Sequence, residues 1–351
     1  MIRRVAPWLL LAAVCIFIAW KLHRSHFDWA GFAASWRSTD FRLIALAVVV
    51  IYSTNLLRAM RWAVFLRPAY RTTGVAPKPW RQLVGSQFIG FASLAIFGRI
   101  GELIRPLIVA QRTGLTFSSQ VAVVAVERVF DLGAFALLFA LNLLLSPGLQ
   151  SLPYHERFHT VGLAIAALTL VVGCFVLGVR LAGAAMASLA QQIIGRVSTK
   201  FGEAAASKIL AFRDGLNVID NVTDFGLASL LSLALWGLIA LSYFLAMKAF
   251  PAPVRSLTFA HTLLLMGFSV VGSIVQLPGV GGGAQVGIIS ALTLLFSIPK
   301  ELAISAGFMI WMVTTMSVIP AGLLYAKLEG ISLRQVAHRS EAAEGSLDRQ
   351  R

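Results

Sequence analysis

Arg99, Glu102 and Arg105 stand three residues apart in FGRIGELIRP, residues 97–106, and Glu127, Arg128 and Asp131 follow in AVERVFDLG. These residue types support two kinds of chemistry. A guanidinium presents a planar fork of donors matched to phosphate oxygens, and a broken helix beside it adds backbone N–H groups without helical partners. The same charges can instead pair with one another. Arg99 with Glu102 and Glu102 with Arg105 are i, i+3 pairs, while Glu127 and Asp131 share one helical face with Arg128 three residues before Asp131. Three cations and three anions balance to zero. Two readings therefore stay open: buried ion pairs that tie residues 82–112 to a helix over 118–145, or a site where Arg99 or Arg105 meets an anionic headgroup.

A second candidate stretch is QLPGVGGGAQVG, residues 276–287, with Gln276, Pro278, Gly279, Gly281, Gly282 and Gln285. Its glycines lack the βαβ context of a nucleotide-binding fingerprint. In a membrane, clustered glycine lets backbone approach backbone or ligand and turns carbonyl and N–H groups toward a cavity. The bland alternative is a tight re-entrant turn without ligand. No nucleophile elbow, HExxH motif, P-loop or pair of carboxylates in a soluble cleft is present, so neither catalytic residues nor an enzyme is expected. Cys15 and Cys174 lie far apart in apolar segments and the six histidines show no ligand spacing, which predicts no metal, disulfide or cofactor. His261, inside an apolar run, is expected to be a packed or interfacial residue.

The elements that hold these residues follow from composition. A hydrophobic fraction of 58%, a charged fraction of 13% and a mean hydropathy of +0.80 lie outside the soluble globular range and indicate an integral membrane protein. The net charge of +15 then reflects topology and anionic lipid, and nucleic acid is not expected as a partner. Spans of about 20 apolar residues are expected over roughly 5–22, 41–66, 118–145, 159–180, 223–247 and 301–326. Residue 21, a lysine, closes the first run without a cleavage site, so it is read as an uncleaved helix. Residues 82–112, broken at Gly98–Gly101, and 258–297, broken at Pro278–Gly283, predict two hairpins that enter and leave on one side.

With that topology, 19 of the 30 Lys and Arg residues fall on one face, 8 on the other, and Arg99, Arg105 and Arg128 at membrane depth. The positive-inside rule makes the first face and both termini cytoplasmic. The order span, hairpin, span over 41–145 recurs in the opposite direction over 223–326, as in transporters built from inverted repeats around a midplane site. The expected fold is an all-α polytopic membrane bundle with inverted repeats and two re-entrant or broken-helix hairpins. It forms one domain over 1–330, with a tail at 331–351. Between the repeats, 188–220 is either an interfacial amphipathic helix or a connector packed on the bundle.

GRIGELIRP, then ERVFD, then a Pro-Gly-rich re-entrant stretch before the last span together resemble the transmembrane region of lysylphosphatidylglycerol synthases, a family that includes stand-alone flippase-like proteins. The resemblance covers about residues 40–326. It implies lipid translocation in a bacterial inner membrane, with membrane lipids, in particular a phosphate-bearing phospholipid or polyprenyl-phosphate-linked lipid, as partners. A homo-oligomer is compatible with it. Members that make aminoacylated lipid carry a soluble transferase domain after the membrane part, whereas about 25 residues follow Tyr325 here, so synthesis is not expected. The family's second hairpin reads Pro-Gly-Gly-x-Gly-x-x-Glu. Here Val280 replaces a glycine and Gln285 stands in the acidic position. The alternative function, from a different class, is a membrane-embedded glycosyl- or headgroup transferase or an accessory subunit of one.

Overall fold

A computed structural model describes residues 27–330, apart from 197, 200, 205, 208–220, 275 and 278–280; side chains at 99–100, 175–177, 179–181, 183, 194, 276–277 and 281 are outside the description as well. The expected span over 5–22 and the tail at 331–351 lie outside the described residues.

The chain is built almost entirely of helices. A short α1 (Trp29–Arg37) precedes α2 (Phe41–Thr73), which starts where Asp40 accepts the Arg42 N–H (2.9 Å) and stops at Gly74 in the left-handed region. The first hairpin is α3 (Val84–Phe97), a 3-10 turn (Gly98–Leu103) and α4 (Ile104–Thr113). Then come α5 (Phe117–Leu145) and α6 (His155–Gly195), the latter kinked at Ala182. The second half holds α7 (Val222–Lys248), a hairpin of α8 (Phe259–Gly272) and α9 (Gly283–Phe296), and a last run of α10 (Lys300–Trp311), a π-turn (Met312–Met316) and α11 (Val318–Leu328). Two two-residue strands, β1 (Gln276–Leu277) and β2 (Gly281–Gly282), pair antiparallel at the second hairpin's tip.

Among the described residues four helices are long and apolar enough to cross a membrane: Phe41–Thr73, His155–Cys174, Val222–Lys248 and the run Lys300–Leu328. The protein is therefore a multi-pass membrane protein. Helix α5 is as long but carries Glu127, Arg128 and Asp131; neighbouring helices cover Glu127 and Asp131, while Arg128, about half exposed, pairs with Glu102. Of the segment expected over 188–220, residues 197, 200, 205 and 208–220 lie outside the described residues; its first part belongs to the portion of α6 that follows the kink at Ala182 and ends at Gly195.

The two halves run in opposite directions. Ser242 Oγ donates to the Ala47 carbonyl (3.0 Å), Arg61 reaches Ser232 (2.7 Å) and Arg67 pairs with Asp224, so α2 and α7 pack antiparallel along their length. Helix α5 runs parallel to α7, with Phe130 on Phe225 and Phe135 on Trp236. The last run begins where Glu301 accepts the Asp28 N–H (3.5 Å) and ends where Glu329 meets Arg112, which gives it the direction of α2. Each hairpin lies against the final helix of the other half. Phe88 of α3 stacks on Tyr325 of α11 at 5.3 Å, and Asn142 of α5 donates to the Ala260 carbonyl of α8 at 3.0 Å. Their entry points are on opposite faces, as the inverted repeat requires. His261 caps α8: its Nδ1 accepts from the Thr258 N–H, the Thr258 hydroxyl accepts from the His261 N–H (both 3.3 Å), and Nε2 meets the Gly148 carbonyl at 2.9 Å.

The first hairpin turns where glycine is required. Gly98 has φ 66°, and a methyl at Gly101 would strike the Ser93 carbonyl. Gly101→Ala is expected to destabilise the protein by about 1–3 kcal/mol, because the object in the way is backbone. On α5, Gly133 has open space where a Cβ would go, and Gly133→Ala is expected to gain up to about 1 kcal/mol of helix propensity. Thermal unfolding of the two purified variants measures both; equal melting temperatures would refute the close approach.

Candidate functional site

The charges of α5 are held by cations from two other elements. Glu127 and Asp131, one turn apart, both face α2, where fully buried Arg61 reaches Glu127 Oε1 and Asp131 Oδ1 at 2.7 Å each and Ser232 Oγ at 2.7 Å. From α4, Arg105 closes on the same glutamate with a fork, Nη2 to Oε2 at 2.5 Å and Nη1 to Oε1 at 3.3 Å, and donates to Gln87 at 3.1 Å. Its guanidinium lies 4.4 Å from the Trp62 ring centre and 5.1 Å from that of Phe91. Arg58, one turn before Arg61, stands 3.7 Å from Glu127 and 3.8 Å from Asp131, distances that give attraction without a hydrogen bond, and lies 4.4 Å from the Phe91 ring centre.

Three guanidinium groups thus share two carboxylates, leaving one formal positive charge in the cluster. The three arginines are not equivalent. The side chains of Arg61 and Arg105 are 0% and 5% exposed, whereas that of Arg58 is 12% exposed and borders a cavity of about 250 Å³. Both halves of the chain line this cavity: Asn55 and Arg58 from α2 and Phe91 from the first hairpin, with Trp236, Ser269, Gln285 and Thr314 from the second half. Tyr243 and Ser269 hydroxyls bond at 3.0 Å, and Gln285 Oε1 accepts the Gly282 N–H at 2.5 Å. Asn55 Oδ1 and Trp236 Nε1 are buried in the wall without a hydrogen-bond partner among the described residues. The π-turn Met312–Met316 brings Thr314 and Thr315 into the same wall, and Tyr52 anchors its end by donating to the Ser317 carbonyl at 2.6 Å. Single π-turns inside α-helices recur at functional sites.

Placement of the twelve sequence candidates is uneven. Gly282 and Gln285 line the cavity, and Arg105, Glu127 and Asp131 stand behind Arg58. Glu102 pairs with Arg128 away from the buried cluster, both partly exposed, in the class of ion pair worth no more than about 1 kcal/mol. The side chains of Arg99 and Gln276 are outside the description, as are Pro278 and Gly279; the backbone of Gly281 pairs with Leu277 and that of Gly282 with Gln276.

Two corrections follow. Glu102 and Arg105 are not partners, because the 3-10 turn ends between them and leaves Glu102 outside while Arg105 points into the bundle; Asp131 takes Arg61 in place of Arg128. Arg58 and Arg61, counted by sequence among the 19 basic residues of the cytoplasmic face, point from α2 into the bundle at the buried carboxylates. A signal for them existed: Ile51, Asn55, Arg58, Arg61, Trp62 and Phe65 keep the 3–4-residue spacing of a single helical face.

Among the described residues no group of three or more His, Cys, Asp or Glu side chains could hold a metal ion. Residues 3–322 match the family model described as the lysylphosphatidylglycerol synthase TM region. No curated protein matches the chain.

Proposed function

The chain belongs to the lysylphosphatidylglycerol synthase TM region family, and from that premise we propose that it is a lipid flippase which moves a phosphate-bearing headgroup across the bilayer through the central cavity. The observation that carries this reading is Arg58. Its two carboxylates are hydrogen-bonded by Arg61 and Arg105, so its charge is the one directed at the cavity between the halves. A phosphate there meets a guanidinium that is itself 12% exposed, where the attraction is stronger than at a surface. Acyl chains remain in lipid, so the protein lowers the barrier for the headgroup alone. The reading makes the protein a transporter and not a transferase.

Orientation is part of the proposal. Moving Arg58 and Arg61 into the membrane leaves 17 of the 19 basic residues on the face that carries Gly74, Thr116 and Glu329, against 8 opposite, which favours a cytoplasmic position for that face and for both termini in a bacterial inner membrane. The experiment is transport of acyl-labelled phosphatidylglycerol in proteoliposomes that contain the purified chain alone. The expected result is loss of leaflet asymmetry faster than in protein-free vesicles. Chemical conversion of the lipid without movement would replace this reading with the transferase.

A further inference from the structure

The cavity wall specifies more than an anion. Among the described residues it contains one charged side chain, Arg58, and no carboxylate; Glu127 and Asp131 stand behind Arg58, hydrogen-bonded to Arg61 and Arg105. At Gln285, buried in the second hairpin, the side chain is a neutral amide. The remaining polar side chains are hydroxyls, amides and indoles. A hydroxyl matches such a wall, since it donates and accepts. An ammonium offers donors alone, would find no counter-charge and would face the Arg58 guanidinium.

From this we infer that the headgroup is a monoanionic phosphodiester bearing hydroxyl groups, such as a glycerol or sugar phosphodiester, and that headgroups carrying an ammonium are rejected. The inference rests on the flippase reading and narrows its substrate class. The single uncompensated charge of the cluster matches one phosphodiester charge, and rejection arises from like charge with no carboxylate to offset it. Gln285 is then a specificity residue: a carboxylate at 285 would supply the missing partner for an ammonium.

The test compares acyl-labelled phosphatidylglycerol with phosphatidylethanolamine, the same phosphodiester with an ammonium, in proteoliposomes of the full chain. Phosphatidylglycerol is expected to move at least about tenfold faster. In Gln285→Glu that ratio is expected to fall to near one or invert. Should that variant fail to fold, Thr314→Asp brings a carboxylate to the same wall with the same expectation. Equal movement of the two lipids by the native chain overturns the inference, as does an unchanged ratio in a folded Gln285→Glu protein. If neither lipid moves, native mass spectrometry reads binding directly: preference for phosphatidylglycerol leaves the headgroup assignment standing and removes the flippase, whereas equal binding or none removes both. Displacement of bound phosphatidylglycerol by equimolar glycerol phosphate would assign the cavity to a soluble ligand and overturn the lipid reading.

Discussion

Glu127→Ala is expected to destabilise the folded protein by about 3–5 kcal/mol, the usual cost of removing one partner from a buried ion pair. The side chain is 2% exposed and serves Arg61 and Arg105 at once. Without it, three guanidinium groups share Asp131 alone and the cluster's formal charge rises from one to two. Against a typical total stability of about 5–15 kcal/mol, that loss should lower both membrane yield and melting temperature. The double variant Arg105→Met with Glu127→Met returns the charge to one with apolar groups of similar size, so it is expected to recover much of the loss. Thermal unfolding of the purified single and double variants measures this, and a native melting temperature for Glu127→Ala would mean that the cluster does not hold α2, α4 and α5 together.

Arg58 is expected to show the opposite order of effects. Because it makes no hydrogen bond to either carboxylate, Arg58→Ala removes attraction at 3.7 and 3.8 Å but orphans no partner. Its melting temperature should stay close to native. Transport should fall by about 10–100-fold, the loss that corresponds to about 1.5–3 kcal/mol for a hydrogen bond to a charged group. Arg58→Lys keeps the charge but not the fork and should lie between the two. For Arg61→Ala, buried behind it, stability should fall first and transport with it. Full transport by a folded Arg58→Ala protein would remove this residue from the site and leave the polar wall of the second hairpin as the better candidate.

Hydrophobic runs made the long helices legible, and Gly98, Gly101 and the 281–283 glycines marked the two breaks, because a re-entrant turn leaves few alternatives to glycine. The face shared by Glu127 and Asp131 was also legible, since it depends on helical period alone. The partners were not. Arg61 lies 66 residues from Glu127 and 70 from Asp131, and Arg105 lies 22 from Glu127; such pairings are fixed by how helices cross, which spacing along one helix does not encode. Arg58 and Arg61 lie within the 41–66 span, yet as basic residues near its end they count toward the cytoplasmic face until their distant carboxylate partners are known. Asn55, Trp236 and Thr314 carry no signal in the sequence for a related reason: each is ordinary in its own helix and becomes part of a site when two halves of the chain meet.

Separation along the chain also sets a sequence of events during synthesis. Arg61 is made 66 residues before Glu127 and 171 before Ser232. At roughly 5–20 residues per second, on the order of 3–13 s pass before the first carboxylate emerges. Over that interval the hydrocarbon core is the wrong place for two unpaired guanidinium groups, and long side chains on a helix can reach toward the headgroups instead. Helix α2 is therefore expected to seat fully after α5 has been made, and its full set of partners exists once α7 has followed. The cluster that gives the mature cavity its charge is thus expected to be completed late, when the second half of the chain brings the last of its partners.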